Sequence, residues 1–289
     1  MQKFLSFLII ISILVISNVS LCSIHIIVDT RNREVPNYEE SLKDLVDEFE
    51  ERLQLKKSRN DTVKVVLTYS REEFNQVVGN GIPDWGAGVA NPVNNTVYLL
   101  LTESTRSVAT LELTIHEIAH IMLHKALGDI HIPRWFDEGY AQWASGESFF
   151  EKSHDLALAN LLGNNVPLRD LEPVNSFDKY RANLAYAESR AAFEYLIERI
   201  DSKDVSILIN QIAKAKSFEQ GFYNTFGMTL DEFYSVWSEE RVSRYNWYIL
   251  FADWRIWFIF IAVFFIIVGT IKIIKHRKKK SQEDIVEEV

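Results

Sequence analysis

One stretch limits the folds open to this chain more than any other: TLELTIHEIAHIMLHKA, from Thr110 to Ala126. With Val108 just before it, the apolar residues Leu111, Ile115, Ile118, Ala119, Met122 and Ala126 recur at three- and four-residue intervals. That spacing predicts a helix with one stripe turned toward a core. The same helix carries His116, Glu117 and His120 at the margin of the stripe, between core and cleft. At about 100° and 1.5 Å per residue, His116 and His120 lie one turn apart on one face, where both imidazoles can converge on a single tetrahedral Zn2+. Glu117 stands beside the first of them, placed to take a proton from a water that the metal activates. The fold must therefore bury this helix and keep one edge of it open. Gly128, just past Leu127, is the expected terminator.

A bare HExxH also arises as a surface pattern on ordinary helices, so a third ligand decides its meaning. Eighteen positions beyond His120 stands the candidate Glu138, inside PRWFDEGYA, Pro133 to Ala141. His124 is a weaker alternative, because three successive turns of one helix cannot bend onto one ion; it reads as solvated or as a neighbour of the ligands. Position 126, six after His120, is Ala, which excludes a metzincin. His131 and His154 read as isolated loop or surface histidines. Asp137, on a different helical face from Glu138, and Gln142, one turn after it, are candidates to hydrogen-bond a ligand from behind.

Here the chain resembles the gluzincin metallopeptidases, the group that contains thermolysin and the aminopeptidase N family. In particular it resembles the bacterial peptidase-MA-like family, whose HExxH is followed by W-x-x-E-G-x-A; Trp135, Glu138, Gly139 and Ala141 match position by position. The resemblance implies His116, His120 and Glu138 as zinc ligands and Glu117 as general base. It also implies a zincin-like α+β fold, in which an N-terminal mixed sheet with the active-site helix precedes a helical subdomain. It covers most of Ile24 to Arg244, including the closing pattern Phe226-Gly227 and Trp237. Gluzincins draw an oxyanion donor, a tyrosine or histidine, from the second half. Tyr186, in NLAYAES, aligns with a tyrosine in the family's metal-facing helix; Tyr180 is the reserve, and a plain core role for Tyr186 is the alternative.

Around these motifs the pattern is mixed. Ile24 to Val28 and Val63 to Tyr69 read as strands, and Tyr38 to Leu55 as a helix after a capping-box-like Asn37 and Glu40. Ser70 with Glu73 starts a short helix through Val78, and Gly86 to Leu101 reads as a hairpin. In zincins the sheet edge beside the active helix takes up substrate as an added strand. Gly86 to Ala90 resembles, in position only, the Gly-Ala-Met-Glu-Asn strand of the aminopeptidase N family; an ordinary hairpin is the alternative. The glutamate that holds a free amino terminus there is missing, which speaks against an aminopeptidase. Past Glu138, helices are expected over Asp178 to Ile200, Val205 to Ala215 and Leu230 to Tyr245, the last behind a capping box of Thr229 and Glu232.

The two ends are apolar. Lys3, the run Phe4 to Ile16 and the polar Ser17 to Ser20 read as a signal peptide over 1–22, with an uncleaved anchor as the alternative. Cys22 is the sole cysteine, so no intrachain disulfide forms; Leu21 before it disfavours lipidation. Ile256 to Ile274 spans nineteen residues, roughly 28 Å as a helix, close to a bilayer's hydrocarbon thickness. Trp247, Tyr248 and Trp254 precede it, Trp257 stands at its start and KHRKKK, 275–280, follows, which places the basic side in the cytoplasm. The expected layout is an extracytoplasmic domain over 23–253, divided into an α/β half (23–128) and a helical half (129–246). A transmembrane helix over 254–274 and a cytoplasmic tail over 275–289 complete it.

From Ile24 to Asp253 there are 23 Lys and Arg against 36 Asp and Glu, a net charge of −13, which argues against nucleic acid as a partner. The tail cluster suits anionic lipid or simply stops transfer. Arg106, Glu112 and Lys125 make the HExxH helix too polar to sit in a bilayer, which excludes an intramembrane protease. The expected protein is a membrane-anchored zinc peptidase acting on extracytoplasmic peptides or proteins. Its competitors are a catalytically silent, peptidase-shaped binding module and a structural membrane protein with a chance motif.

Overall fold

The computed structural model describes residues 24–35, 37–53, 62–79, 82–84, 86–101, 108–146, 150–200, 202–246 and 254–287. The expected signal peptide and Cys22 lie outside these. The described residues fall into two compact units, one within Met1–Ser148 and Val166–Trp237, the other within Phe149–Asn165 and Ser238–Val289.

The first unit opens with strand β1 (His25–Asp29), helix α1 (Tyr38–Leu53), strand β2 (Thr62–Thr68), helix α2 (Arg71–Val78) and the hairpin β3 (Gly88–Asn91) and β4 (Thr96–Leu100). The strands form one mixed sheet in the order β1-β2-β4-β3. β1 and β4 run parallel to β2, while β3 runs antiparallel to β4 with Val89 opposite Tyr98. Parallel neighbours need covered faces, and β2 and β4 supply the apolar runs: Val63, Val65, Val66 and Leu67 on one, Val97, Leu99 and Leu100 on the other, all buried.

Local signals set the ends of several elements. Ser70 Oγ accepts from the Glu73 amide while the Glu73 carboxylate accepts from the Tyr69 amide, so α2 starts as expected. Asn37 does not act as a standard cap. It lies at φ 60°, outside the extended region that a capping residue adopts, and its carbonyl accepts from the Ser41 amide.

The HExxH helix, α3 (Val108–Leu127), packs against β3, β4 and α1. It closes on Gly128 at φ 62°, whose amide reaches the His124 carbonyl. The expected one-sided stripe is corrected here. Ile115, Ile118 and Ala119 are buried, but Leu111 and Met122 are half-buried and Ala126 is exposed, while Ile121, Leu123 and Leu127 are buried in their place. Every residue from Thr114 to Ile121 is buried, because neighbours cover the helix on several sides and one-sided amphipathicity no longer applies.

Then follow α4 (Arg134–Ser145), two 3₁₀ turns at Leu168–Asp170 and Val174–Ser176, α6 (Lys179–Ile197), α7 (Val205–Ala215) and α8 (Phe218–Phe226); α5 (Phe150–Leu162) lies in the second unit. The periodicity reading did not anticipate α5 or α8. α8, FEQGFYNTF, carries a glycine in its middle, and a side chain at Gly221 would strike the backbone of Ile212 on α7. Helix α9 (Leu230–Arg244) begins with the expected box: Thr229 Oγ1 accepts from the Glu232 amide, and Glu232 Oε2 from the Thr229 amide at 2.7 Å.

The helical core is aromatic. Trp135 stacks on Phe233 at 5.3 Å and donates its indole N–H to the Tyr234 hydroxyl. Phe136 packs edge-on against Phe193 and Phe218. In the second unit, Asn160 Nδ2 donates to the carbonyl of Tyr245 at 2.6 Å. There α10 runs from Trp254 to Glu287, longer than the expected 254–274, because the helix continues through the basic run. Its apolar residues Trp257–Lys275 form a stretch long enough to cross a membrane, with its side chains exposed. The protein is thus mixed α+β, a four-stranded mixed sheet followed by helices and ending in one long apolar helix.

Candidate active site

Two helices bring the motif residues together. α3 supplies His116, Glu117 and His120, and α4 lies close against α6 and presents Glu138 toward them. The W-x-x-E-G-x-A segment now has a physical explanation. Trp135 fills the core, and a side chain at Gly139 would collide with the Ser189 carbonyl oxygen and Phe193 Cβ of α6, so only glycine allows the two helices to approach this closely. Ala141 is fully buried.

His116 Nε2 and His120 Nε2 lie 3.2 Å apart. Glu138 Oε2 stands 3.4 Å from the first and 3.7 Å from the second. These edges are close to those of a tetrahedral zinc site, about 3.3 Å between ligand atoms for bonds of roughly 2.0–2.1 Å. Glu138 Oε2 is buried and has no hydrogen-bond partner, an arrangement that costs free energy unless a cation completes it. The three ligand atoms all lie within 4.8 Å of one another, and all three residues are buried. The group fits a metal ion, with zinc typical for such a donor set.

The ring orientations are held from behind. His120 Nδ1 donates to Asp137 Oδ1 at 2.6 Å, which leaves Nε2 to face the other ligands. Asp137 Oδ2 accepts from His124 Nε2 at 3.0 Å. Asp137 thus stands behind the candidate ligand His120, and His124 behind Asp137. Burial works against the Asp137 charge, but His120 and His124 outweigh it and hold its carboxyl well below the usual range. Burial likewise opposes a charged His120, and Asp137 outweighs it, raising the imidazole well above its ordinary value. Gln142 donates to the main-chain carbonyls of Glu138 and Tyr186, tying α4 to α6.

Glu117 lies against the sheet. A Cβ at Gly88 would come within 2.5 Å of Glu117 Oε1, so the carboxylate rests on the bare backbone of β3. Burial pushes its pKa up, opposed by the charges of His116 and His120. A carboxylate raised in this way is a better proton acceptor. A cleft of about 360 Å³ opens here, lined by Gly86, Gly88, Val89, Ala90 and Pro92 on the sheet side and by Arg134, Glu138, Asn175 and Tyr186 on the helical side, with His116, Glu117 and His120 at its base. β3 is an edge strand.

The profile of the Peptidase MA superfamily matches residues 61–242, well over half the chain. The chain belongs to the Peptidase MA superfamily. Its buried His116, His120 and Glu138 are consistent with the HExxH…E zinc site of such peptidases. A relative from Bacillus subtilis (strain 168), described as uncharacterized protein YhcO, is 26% identical over 129 residues. That match covers 42% of this chain and 38% of the relative, so the chain spans well under half the relative's length. No solved structure matches the chain.

For this superfamily member, the remaining expected residues fall as follows. Tyr186 lines the cleft with the motif residues, while Tyr180, the reserve, is exposed. His131 is exposed, and His154 sits on α5, a helix and not a loop. Sequence reasoning missed Arg134. Its Nη2 lies 2.5 Å from Glu138 Oε1, and it lines the same cleft as Tyr186. Burial favours protonating Glu138, but the Arg134 charge and the neighbouring His116 and His120 hold the carboxyl well below its usual range. Burial and the nearby Glu138 push the Tyr186 hydroxyl up, so it stays protonated and able to donate. The available signal was the spacing: Arg134 precedes Glu138 by four positions on one helix.

Proposed function

We propose that this chain is a membrane-anchored zinc peptidase of the gluzincin type, zincin-like in fold, that hydrolyses peptide bonds of extracytoplasmic peptides or proteins. The observation that carries the reading is the buried, unpartnered Glu138 Oε2 closing a triangle with the two histidine nitrogens. His116, His120 and Glu138 would hold the ion. When bound, zinc supplies a Lewis acid that polarises the scissile carbonyl and acidifies water.

The chain's own groups do the rest. Glu117, raised by burial and resting on Gly88, accepts the proton of the attacking water and delivers it to the leaving amine. Tyr186, across the cleft, donates its O–H to the oxyanion. The outer edge of β3 receives the substrate backbone as an added strand, which favours extended peptides with few side-chain demands.

The membrane part of the proposal rests on the exposed apolar stretch Trp257–Lys275 with its basic flank. In the proposed layout 1–22 direct export and 23–253 lie outside, divided at 128 into an α/β and a helical half. Residues 254–274 then cross the bilayer and 275–289 remain in the cytoplasm.

The test is elemental analysis of the full-length chain in detergent, beside Glu138→Ala and Glu117→Gln, with hydrolysis of an unstructured peptide library. One zinc per wild-type chain, kept in Glu117→Gln and lost in Glu138→Ala, with turnover in the wild type alone, is expected. Zinc without turnover would leave a metal-holding binding module; no zinc after reconstitution would leave a peptidase-shaped scaffold.

A further inference from the structure

Helix α5 carries more apolar surface than its packing uses. On its inner side Leu156, Ala157 and Ala159 are fully buried, yet Leu158, Leu161 and Leu162 are exposed, the last two at 62% and 58%. Positions 158, 161 and 162 stand three and four residues apart, so these side chains share one face of the helix's final turn. Gly163, at φ 70°, ends the helix directly after them. Exposed apolar residues scattered singly are ordinary. Among the described residues outside α10, however, no other element exposes three large apolar side chains. Toward the start of α5 the same face turns polar, with Asp155 exposed one turn before Leu158.

The apolar end is also the end fastened beside the chain that leads to α10. Asn160 Nδ2 donates to the carbonyls of Tyr245 at 2.6 Å and Arg241 at 3.3 Å, at the close of α9. Two residues past Tyr245 the sequence reads WYILF, Trp247 to Phe251, a composition that partitions into the interfacial region of a bilayer. α10 then begins at Trp254. The Asn160 anchor thus holds Leu161 and Leu162, its immediate neighbours in sequence, next to the point where the chain turns toward lipid.

We propose that Leu158, Leu161 and Leu162 lie in the headgroup–acyl boundary of the bilayer, a second membrane contact beside the span of α10. The inference rests on the membrane anchoring in the reading above. A helix lying in that plane sinks its apolar face roughly 5–10 Å into the boundary. Among the described exposed positions of α5 there is no basic residue, so the contact comes from burying leucines and not from anionic headgroups. One spanning helix leaves the attached unit able to tilt on its connection, and a second contact in the membrane plane limits that tilt.

The test uses the full-length chain with Cys22→Ser, reconstituted in phosphatidylcholine vesicles, with one cysteine introduced at a time and labelled with an environment-sensitive fluorophore. Leu161→Cys and Leu162→Cys probe the proposed contact. Tyr223→Cys, at an exposed position of α8, reports water, and Ile266→Cys, within α10, reports the span. Each label is quenched either by lipid brominated near the top of its acyl chains or by aqueous iodide. At 161 and 162 lipid quenching should be several-fold stronger than at 223 and iodide quenching several-fold weaker, with the emission shifted to the blue and unchanged by high salt.

A lipid-quenched label at 266 with labels at 161 and 162 that behave like the one at 223 would overturn this inference and leave the membrane anchor standing. A label at 266 that lipid does not quench sinks the anchor and this inference with it. Shielding of 161 and 162 from both quenchers, growing with the protein-to-lipid ratio, would mean that a second copy covers the face and would also overturn the proposal. If one labelled variant does not fold, the other of the two leucine positions decides the matter.

Discussion

The two walls of the cleft are both built around a glycine, and the two glycines meet opposite constraints. On the sheet wall, an added Cβ at Gly88 would meet the end of a flexible side chain, the Glu117 carboxylate. On the helical wall, an added Cβ at Gly139 would meet the Ser189 carbonyl of α6, which is backbone. The carboxylate can give by a rotamer change, whereas the helix pair can give only by moving apart. In the proposed mechanism the proton-transferring group, Glu117, therefore rests on a yielding contact, while the proposed third ligand, Glu138, is carried by an unyielding one. A base that must accept and then deliver a proton tolerates some freedom, and a ligand triangle with edges near 3.3 Å does not.

This contrast can be broken or sharpened experimentally. The largest effect is expected for Glu117→Gln, which keeps size and contact with Gly88 but removes the proton acceptor: turnover should fall about 10²- to 10⁴-fold with zinc content and melting temperature unchanged. Full activity in this variant would refute the mechanism.

Gly139→Ala should come next. Overpacking at this crossing should cost about 1–3 kcal/mol, lower the melting temperature by several degrees and weaken zinc binding with it. A stable Gly139→Ala protein with normal zinc affinity would show that the helical wall is as compliant as the sheet wall. Gly88→Ala should separate activity from stability in the other direction, with unfolding free energy within about 0.5 kcal/mol of wild type but kcat reduced roughly tenfold as Glu117 is displaced. Denaturant melts beside steady-state kinetics distinguish the two glycines. The smallest effect belongs to Tyr234→Phe, which removes the acceptor of the Trp135 indole N–H. It should cost about 1 kcal/mol of stability and leave kcat and zinc affinity alone.

Much of the site was legible along the chain, and the reason is local. His116, Glu117 and His120 owe their common face to helix periodicity, which is a property of spacing. Thr229 with Glu232 and Ser70 with Glu73 close capping boxes within four residues, so their hydrogen bonds could be anticipated before any packing was known. The hairpin was legible for the same reason, since Pro92 to Asn95 separates two apolar runs that pair across it.

What stayed illegible depends on chain segments far apart. The core-facing stripe of α3 was misjudged at Ala126 and Met122 because the sheet, α1 and other helices cover that helix from several directions. α8 was missed because its glycine answers to Ile212 on a neighbouring helix. Gln142 was expected behind the Glu138 carboxylate, yet it donates to the main-chain carbonyls of Glu138 and Tyr186, and Arg134 takes the carboxylate oxygen.

By itself the sequence determined that this chain makes a buried helix bearing two histidines and a glutamate, a second helix bearing the W-x-x-E-G-x-A residues, and a long apolar segment near its end. Periodicity, capping and hydropathy act over a few residues and are written in order along the chain. That Glu138 Oε2 completes the triangle and that Glu117 lies on Gly88 follow only from packing between distant segments. Those contacts connect residues separated by up to 29 positions, as Gly88 and Glu117 are, and their distances are set by how closely α4 packs on α6 and α3 on β3.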